Sequence, residues 1–215
     1  MRYTHIVWDF NGTIVNDVEA GIKSENVLLA RRGMPLLEDV EYYRSIFTFP
    51  IVDYYKKLGH DFERDPYEKL SVEWTEQYQL FSKDAPLNEG VTELLDWLHA
   101  QGCKQIVLSA SELGLLREQL RHLGMLDRFD EVLGLDNVEA YSKLELAEDW
   151  LRREQPGRAL VIGDTQHDAE TAEALGADCL LLTLGHQSRR TLEQFGVPVL
   201  DSFAQVRAWL EESAL

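Results

Sequence analysis

The apolar residues of the chain fall into short runs that are separated by longer amphipathic segments. The most apolar runs are short and rich in β-branched, aromatic or leucine side chains, which is typical of buried strands. They cover residues 3–10, 105–108, 131–133, 159–162 and 179–182. A weaker run at residues 197–200 contains Pro198, which cannot donate to a strand ladder, so we predict an edge strand there.

Helical periodicity begins before the second strand and fills the intervals between the later strands. Apolar residues recur three and four positions apart, as one face of an amphipathic helix requires. The sets are Val91/Leu94/Leu95/Leu98, Leu113/Leu116/Leu120/Leu123, Leu144/Ala147/Leu151 and Phe203/Val206/Leu210. Strands that alternate with helices predict an α/β fold, with a doubly wound, Rossmann-like parallel sheet that carries helices on both faces.

One long segment interrupts this alternation. Residues 16–86 contain helical patterns and no convincing strand, and the clearest pattern joins Tyr67, Leu70, Trp74, Tyr78 and Phe81 behind an Asp-Pro start signal. Such a segment is too long for a plain loop. We predict an α/β core of residues 1–15 and 87–215 and an all-α insert of residues 16–86, with Trp74 and Tyr78 in the core of the insert.

The composition and net charge of the chain limit the classes of partner that it is expected to bind. The chain has 215 residues, with 21 basic and 38 acidic side chains and a net charge of −17. Nucleic acid and anionic membrane surfaces need clustered cations, so neither is expected as a partner. Cys103 and Cys179 form no CxxC pair, no secretory signal is expected, and no apolar run is long enough to span a membrane. We expect a cytoplasmic monomer.

Polar residues follow several of the predicted strands, at the end where open parallel sheets bind ligands. The first strand is followed by Asp9, Asn11, Gly12 and Thr13, and the second strand is followed by Ser109, Ala110 and Ser111. The fourth strand is followed by Gly163, Asp164 and Asp168, and the helix before it begins at Lys143. Carboxylate oxygens are ligands that Mg²⁺ prefers. Ser109, Lys143, the Gly12-Thr13 backbone and the amides of the helix after Ser111 are suited to binding phosphoryl oxygens. The set predicts metal-assisted phosphoryl transfer, in which a carboxylate can act as nucleophile.

The same residues carry a resemblance to the haloacid dehalogenase superfamily, in its phosphoglycolate-phosphatase-like branch with a helical C1-type cap. The motif DxDGT reads DFNGT at residues 9–13, the strand-end hydroxyl is Ser109, the motif lysine is Lys143, and GDxxxD reads GDTQHD at residues 163–168. The motifs stand in the family's order, and the helical insert lies where such a cap belongs.

The resemblance implies a role for each matched residue. Asp9 would be the nucleophile and a Mg²⁺ ligand, the backbone carbonyl of Asn11 and Asp164 further ligands, and Asp168 a ligand directly or through water. Ser109 and Lys143 would bind the phosphoryl group. The implied activity is a Mg²⁺-dependent phosphatase that acts on a small phosphorylated metabolite through an aspartyl phosphate.

Asn11 departs from the family pattern, which has an aspartate there. That aspartate protonates the leaving oxygen and then activates water, and an amide has no titratable proton for either step. Three explanations stay open: the enzyme prefers an activated phosphate such as an acyl phosphate, another group such as His167 replaces the acid, or turnover is slow.

Structural roles compete with the catalytic ones. Asp168 with Thr165 resembles a helix capping box, and Ser111 is a candidate N-cap. His186 fits a loop residue, and Arg44 and Thr48 lie between predicted cap helices, where a solvated arginine is the simpler interpretation. At the level of function, the alternatives are a non-catalytic phosphate-ligand sensor or interaction protein and a metal-free haloacid dehalogenase.

Overall fold

The computed structural model describes residues 2–135 and 142–212, and its centre is a parallel sheet of six strands. The strands are β1 (His5–Trp8), β2 (Lys104–Glu112), β3 (Glu131–Leu135), β4 (Ala159–Gly163), β5 (Asp178–Leu182) and β6 (Val199–Leu200). Their order is β3-β2-β1-β4-β5-β6, which confirms the predicted α/β class and places β6 at an edge. Trp8 of β1 is in register with Val107 and Ile162, so the ends of β1, β2 and β4 are neighbours.

Helices cover both faces of the sheet. The α-helices of the described residues are α1 (Val18–Arg31), α2 (Val40–Ile46), α3 (Ile51–Leu58), α4 (Tyr67–Ser82), α5 (Val91–Ala100), α6 (Leu113–His122), α7 (Lys143–Glu154), α8 (Gln166–Leu175), α9 (Arg189–Leu192) and α10 (Phe203–Glu212). Ile6 and Trp8 of β1 face the layer of α5, α6 and α10, whereas Val7 faces the layer of α7 and α8. The whole of β1 is therefore buried, as expected for a parallel strand with helices on both sides.

The helical segment between β1 and β2 has a hydrophobic cluster of its own. Val18, Leu29, Leu37, Tyr43 and Tyr54 are buried together there, and α1 packs along α4. The chain leaves and re-enters this segment at adjacent points, because Val15 bridges Leu87 and the Asn16 amide donates to the Pro86 carbonyl at 2.8 Å. The exact division into core and cap stays a prediction.

Two boundaries differ from the prediction in a way that affects the site. The first strand begins at His5 rather than Tyr3 and ends at Trp8. The second continues through residues 109–112, after a register shift against β3, so Ser109, Ala110 and Ser111 belong to the strand and do not follow it.

Two expectations from composition can be compared with the fold. Both cysteines are buried and unpaired. Within residues 2–135 and 142–212, no helix is both long and apolar enough to cross a membrane.

Candidate active site

The candidate site lies where the central strands end. Asp9 directly follows β1, and its amide donates to the Ile162 carbonyl at 2.9 Å, which ties the end of β1 to β4. Asp164 directly follows β4, and Asp168 lies in the first turn of α8. Lys143 is the first residue of α7, whose start is fixed by a capping box between Ser142 and Glu145. Three segments that are distant in sequence, around Asp9, Lys143 and residues 164–168, therefore meet at one edge of the sheet.

Three carboxylates and one ammonium form the centre of the site. Carboxylate oxygens of Asp9, Asp164 and Asp168 all lie within 4.8 Å of one another. Lys143 Nζ contacts Asp9 and donates to Asp168 Oδ1 at 2.6 Å, and its side chain is only 4% exposed. When all four groups are ionised, the cluster carries an excess of two negative charges in a buried place, which is unfavourable without a further cation.

Burial and the neighbouring charges shift the pKa values of these groups. Burial raises the pKa of Asp9 well above its usual range, although the charge of Lys143 opposes the effect. Burial would lower the pKa of Lys143, but the charges of Asp168 and Asp9 raise it, so Lys143 is protonated. Burial would likewise raise the pKa of Asp168, but the charge and hydrogen bond of Lys143 hold it below its ordinary value.

Asp164 is held by its neighbours on both oxygens. Thr13 Oγ1 donates to Oδ1 at 2.9 Å, and the His186 amide donates to Oδ2 at 2.7 Å. Burial raises the pKa of Asp164 to about 6, against the opposing charge of His186. A Cβ at Gly12 would lie 2.4 Å from Oδ2, and one at Gly185 would lie 2.0 Å from it, so only glycine allows this close packing.

Asp168 performs the structural role that the sequence offered as an alternative. Its Oδ2 accepts from the Asp164 amide, the Thr165 amide and the Thr165 hydroxyl at 3.1, 3.0 and 2.8 Å, which caps the start of α8. Its Oδ1 faces Lys143 and belongs to the central cluster. One carboxylate thus anchors a helix and contributes an oxygen to the site.

The side chain of Asn11 is fixed by three partners. Ser111 Oγ donates to Asn11 Oδ1 at 3.0 Å, while Asn11 Nδ2 donates to Asp17 Oδ2 at 3.1 Å and to the Tyr78 hydroxyl. Tyr78, which lies on α4, also donates to Asp17. The amide therefore connects the end of β2, the start of α1 and the helical segment.

Asp17 is a residue that the sequence analysis missed. It occupies the N-cap position of α1, but its carboxylate makes no capping bond there and is 1% exposed. Its Oδ1 accepts from the Gly12 amide at 2.6 Å and lies 3.3 Å from His186 Nε2. In this arrangement the Gly12 amide is already bound to Asp17, and its expected role as a donor to a phosphoryl group stays a prediction.

His186 pairs with Asp17 in the interior. It lies in the loop after β5, as predicted, but it is buried, and its Nδ1 is 2.7 Å from the Tyr43 hydroxyl. Burial would lower the pKa of His186, but the charge and hydrogen bond of Asp17 raise it to about 9. Burial would raise the pKa of Asp17, but His186, Tyr78 and Asn11 lower it. The two form a buried ion pair beside the central carboxylates.

The hydroxyl residues on β2 have local partners. Ser109 Oγ donates to Ser111 Oγ at 3.1 Å and accepts from the Ser111 amide at the same distance. Ser111 is not the N-cap of α6; that residue is Glu112, whose carboxylate accepts from the amides of Gly114 and Leu115, both at 2.8 Å. These amides were expected to bind phosphate; the Glu112 carboxylate occupies them in this arrangement, and the phosphate-binding role stays a prediction.

The helical segment contributes a wall to the site. A cavity of about 860 Å³ extends from Asp9 and Lys143 toward α4, and Ala110, Trp74 and Tyr78 are among its lining residues. The prediction that Trp74 and Tyr78 belong to the core of the insert is wrong, because both are only half-buried and face this cavity.

The remaining candidates lie around that cavity. His167 lines it and packs against Phe49, with ring centroids 5.0 Å apart. Arg44 is not a solvated arginine: its guanidinium donates to the carbonyls of Gly185 at 2.8 Å and Leu184 at 3.0 Å. Thr48 contacts Gln166 at 3.3 Å. Arg44 joins the helical segment to the loop after β5, and Thr48 joins it to the start of α8.

The central cluster fits a divalent cation. Its donors are hard carboxylate oxygens from three residues, which suit Mg²⁺. A dication would balance the excess of two negative charges and would favour the ionised forms of Asp9 and Asp164 against the effect of burial on their pKa values. The donor chemistry and the charge therefore agree.

The chain is similar in sequence and in fold to known hydrolases. Residues 6–182 match the family model described as haloacid dehalogenase-like hydrolase. A phosphoglycolate phosphatase from Rhodobacter capsulatus is 24% identical over 187 residues, covering 85% of each chain. An N-acetylmuramic acid 6-phosphate phosphatase from Pseudomonas putida is 24% identical over 86% of this chain and 85% of its own. A haloacid dehalogenase-like hydrolase from Streptococcus pneumoniae has the same fold, with a TM-score of 0.81, 21% identity and coverage of 97% and 98%.

The chain belongs to the haloacid dehalogenase-like hydrolases. Within that family it is a phosphatase-type hydrolase. The motif resemblance seen in the sequence is thereby confirmed.

Proposed function

We propose that the chain is a Mg²⁺-dependent phosphohydrolase that acts on a small phosphorylated metabolite through an aspartyl phosphate at Asp9. The observation that carries the proposal is the cluster of Asp9, Asp164 and Asp168 around Lys143, with carboxylate oxygens within 4.8 Å of one another. The relatives named as phosphatases support the same reaction class.

Asp9 is the nucleophile in this proposal. Its carboxylate oxygen forms a bond to phosphorus as the bond from phosphorus to the leaving oxygen breaks, and water then hydrolyses the aspartyl phosphate. Asp9 is suited to this role because it is the cluster carboxylate with some exposure, at 12%, and it lines the cavity. Lys143 favours the ionised, nucleophilic form of Asp9 against the effect of burial.

Lys143 and Ser109 would orient the phosphoryl group. Lys143 already contacts two carboxylates and carries its charge at the place where charge collects during transfer. Asp9, Asp164, Asp168 and the backbone carbonyl of Asn11 would hold the metal ion, which offsets the negative charge of the phosphoryl oxygens when bound. Gly12 and Thr13 position these groups: Gly12 by its close approach to Asp164, Thr13 by its hydrogen bond to it.

Asn11 shapes the range of substrates. General acid–base catalysis contributes about 10²–10⁴-fold, and the amide of Asn11 cannot supply it. Alkyl phosphate esters, whose leaving oxygen needs a proton, are therefore expected to react slowly. Acyl phosphates and other esters with stable leaving groups are expected to react well.

The helical segment acts as a cap in this proposal. Tyr78 reaches from α4 to Asp17 and Asn11, and Arg44 reaches from α2 to the loop after β5. These contacts cover the reacting groups, and a covered site excludes water until the phosphoryl group has been transferred. The buried, unpaired cysteines support a reducing compartment such as the cytoplasm.

The proposal is tested by phosphate release from acetyl phosphate with and without Mg²⁺. The native chain should turn over only with the ion. Asp9→Asn should lose at least about 10³-fold in kcat, because the nucleophile is gone. Asp149→Asn, which changes an exposed aspartate on α7, is the matched control and should react like the native chain. Full activity of Asp9→Asn, or equal rates in EDTA, would contradict the proposal.

A further inference from the structure

The cavity is large for a small phosphorylated acid. Its volume of about 860 Å³ lies near the upper end of the roughly 300–1,000 Å³ that is usual for pockets holding drug-sized ligands. Asp9 and Lys143 mark the place for the phosphoryl group, and Tyr67 and Trp74 on α4 also line the cavity. Most of its space is therefore available to the rest of the substrate.

The walls of that space are aromatic. Trp74 and Tyr78 stack on each other with ring centroids 4.8 Å apart and planes 9° from parallel, and both line the cavity. Phe47, Phe49 and Tyr54 add further rings from the segment around α3. Aromatic side chains favour planar rings as partners, through stacked or edge-to-face contacts.

The charges in the cavity disfavour a second anionic group. Among the described lining residues the lysines are Lys143 and Lys83, and there is no arginine. Lys143 is already bound to two carboxylates, and Lys83 is exposed. The lining also carries acidic side chains beyond the central cluster, Glu112 and Glu118. The buried imidazole of His186 also lines the cavity, but its Nε2 already lies 3.3 Å from the Asp17 carboxylate. A carboxylate or second phosphate on the substrate would therefore lose its hydration without gaining an unpaired buried cation.

Asn11 gives an independent reason against an alkyl phosphate ester as the substrate. Because its amide cannot protonate the departing oxygen, the leaving group must be stable as an anion. A phenolate or a carboxylate, aromatic or aliphatic, meets this requirement, whereas an alkoxide does not. The leaving group limits the substrate to aryl and acyl phosphates, and the rings along the cavity walls favour the aromatic members of that class.

We propose, given the phosphohydrolase function above, that the substrate is an aryl phosphate or aromatic acyl phosphate whose uncharged ring packs against Trp74 and Tyr78. The bond between phosphorus and the aryl or acyl oxygen breaks as the Asp9–phosphorus bond forms, and the departing anion takes any proton from solvent. Water then attacks phosphorus, the Asp9–phosphorus bond breaks, and one proton is released to solvent. Phosphoglycolate, with its second anionic group, is a poor substrate.

The test compares benzoyl phosphate with acetyl phosphate, because both are acyl phosphates and differ mainly in the ring. The native chain with Mg²⁺ should show a kcat/KM ratio of about ten or more in favour of benzoyl phosphate, and phosphoglycolate should react at least about a hundredfold more slowly than benzoyl phosphate. Trp74→Ala should lower the ratio about tenfold, mainly through KM, whereas Trp74→Phe should keep it within about threefold. Phe81→Ala removes an aromatic ring from the same helix outside the cavity and should leave the ratio unchanged.

Each outcome has a definite meaning. A ratio near one in the native chain, an unchanged ratio in folded Trp74→Ala, or rapid hydrolysis of phosphoglycolate overturns the aromatic assignment. If acetyl phosphate is hydrolysed in any of these cases, the proposed function survives and only the substrate class is wrong. If none of the three compounds releases phosphate with Mg²⁺, the proposed function fails and the substrate class fails with it.

Discussion

The contact between Asn11 and Asp17 makes Asn11→Asp a quantitative test of the site. Asn11 Nδ2 lies 3.1 Å from Asp17 Oδ2, so the substitution replaces a hydrogen bond by two carboxylates in contact. Asp17 is 1% exposed, and solvent cannot screen the repulsion. We expect the metal-free variant to fold less stably, and we expect the loss to depend on pH.

The Asn11→Asp variant can either accept the repulsion between two charged carboxylates or keep one of them protonated. The smaller of these two free-energy costs determines the loss of stability. Repulsion between two charges about 3 Å apart reaches about 5 kcal/mol at an effective dielectric constant of about 20. The chain avoids it by keeping one carboxyl protonated, which costs about 4 kcal/mol at pH 7 and about 1.5 kcal/mol at pH 5 for a group with an unfolded pKa of about 3.9. The folded pKa is raised, so the stability of the variant falls relative to the native chain as pH rises, by about 1.4 kcal/mol per unit between pH 5 and 7.

The assay is urea unfolding in EDTA at pH 5 and pH 7, with Asp17→Asn as the second member of a double-mutant cycle. In the Asp17→Asn background the Asn11→Asp penalty should shrink to less than about 1 kcal/mol, because the repulsion is gone. A penalty that is equal at both pH values, or equal in both backgrounds, would refute the reasoning. With Mg²⁺, the shared proton should also let Asn11→Asp hydrolyse alkyl phosphate esters about 10²-fold or more faster than the native chain.

Two further predictions concern parts of the fold outside the site. His60→Ala leaves the fully buried Glu25 without the imidazole that lies 3.0 Å away, and should lower the free energy of unfolding by about 3–5 kcal/mol in urea titrations. The control, His99→Ala at an exposed position, should change it by less than about 0.5 kcal/mol. Similar values for the two variants would contradict the importance of the Glu25–His60 pair. Burial raises the pKa of both Cys103 and Cys179, so both should be protonated thiols at pH 8. They should fail to react with Ellman's reagent until guanidinium unfolds the chain. Rapid reaction of the native protein would contradict their burial.

The strands could be predicted because the signal that defines them is local. A parallel strand with helices on both faces is a short, continuous apolar run, and residues 159–162 and 179–182 were found within one residue of β4 and β5. The extension of β2 through Ser109–Ser111 was missed because polar residues end the apolar run there. That extension depends on pairing with β3, which no local pattern records.

The apolar periodicity of residues 67–81 correctly predicted α4, but it wrongly predicted the surroundings of two of its side chains. Leu70 is fully buried, as the pattern predicts. Trp74 and Tyr78 lie on the same apolar stripe but face the cavity. Periodicity identifies the apolar face of a helix, and it does not distinguish a core from a binding cavity, since both are lined by large side chains.

The motif residues of the site were predictable, and their supporting partners were not. Asp9, Lys143, Asp164 and Asp168 stand in an ordered set, and the fold brings them together. Asp17 looks like an ordinary helix N-cap in the sequence, but its carboxylate turns inward to other partners. Its role depends on contacts with residues from three other segments, which only the folded chain assembles.

The central claim is that the carboxylates beside Lys143 bind a divalent ion. Titration of metal-free protein with Mn²⁺, followed by the EPR signal of the free ion, tests it without any substrate. The native chain should bind one ion, Asp149→Asn should bind it equally well, and Asp9→Asn should bind it at least about tenfold more weakly because one ligand is lost. Equal Mn²⁺ affinity in the native chain and Asp9→Asn, or no binding by either, would contradict the claim.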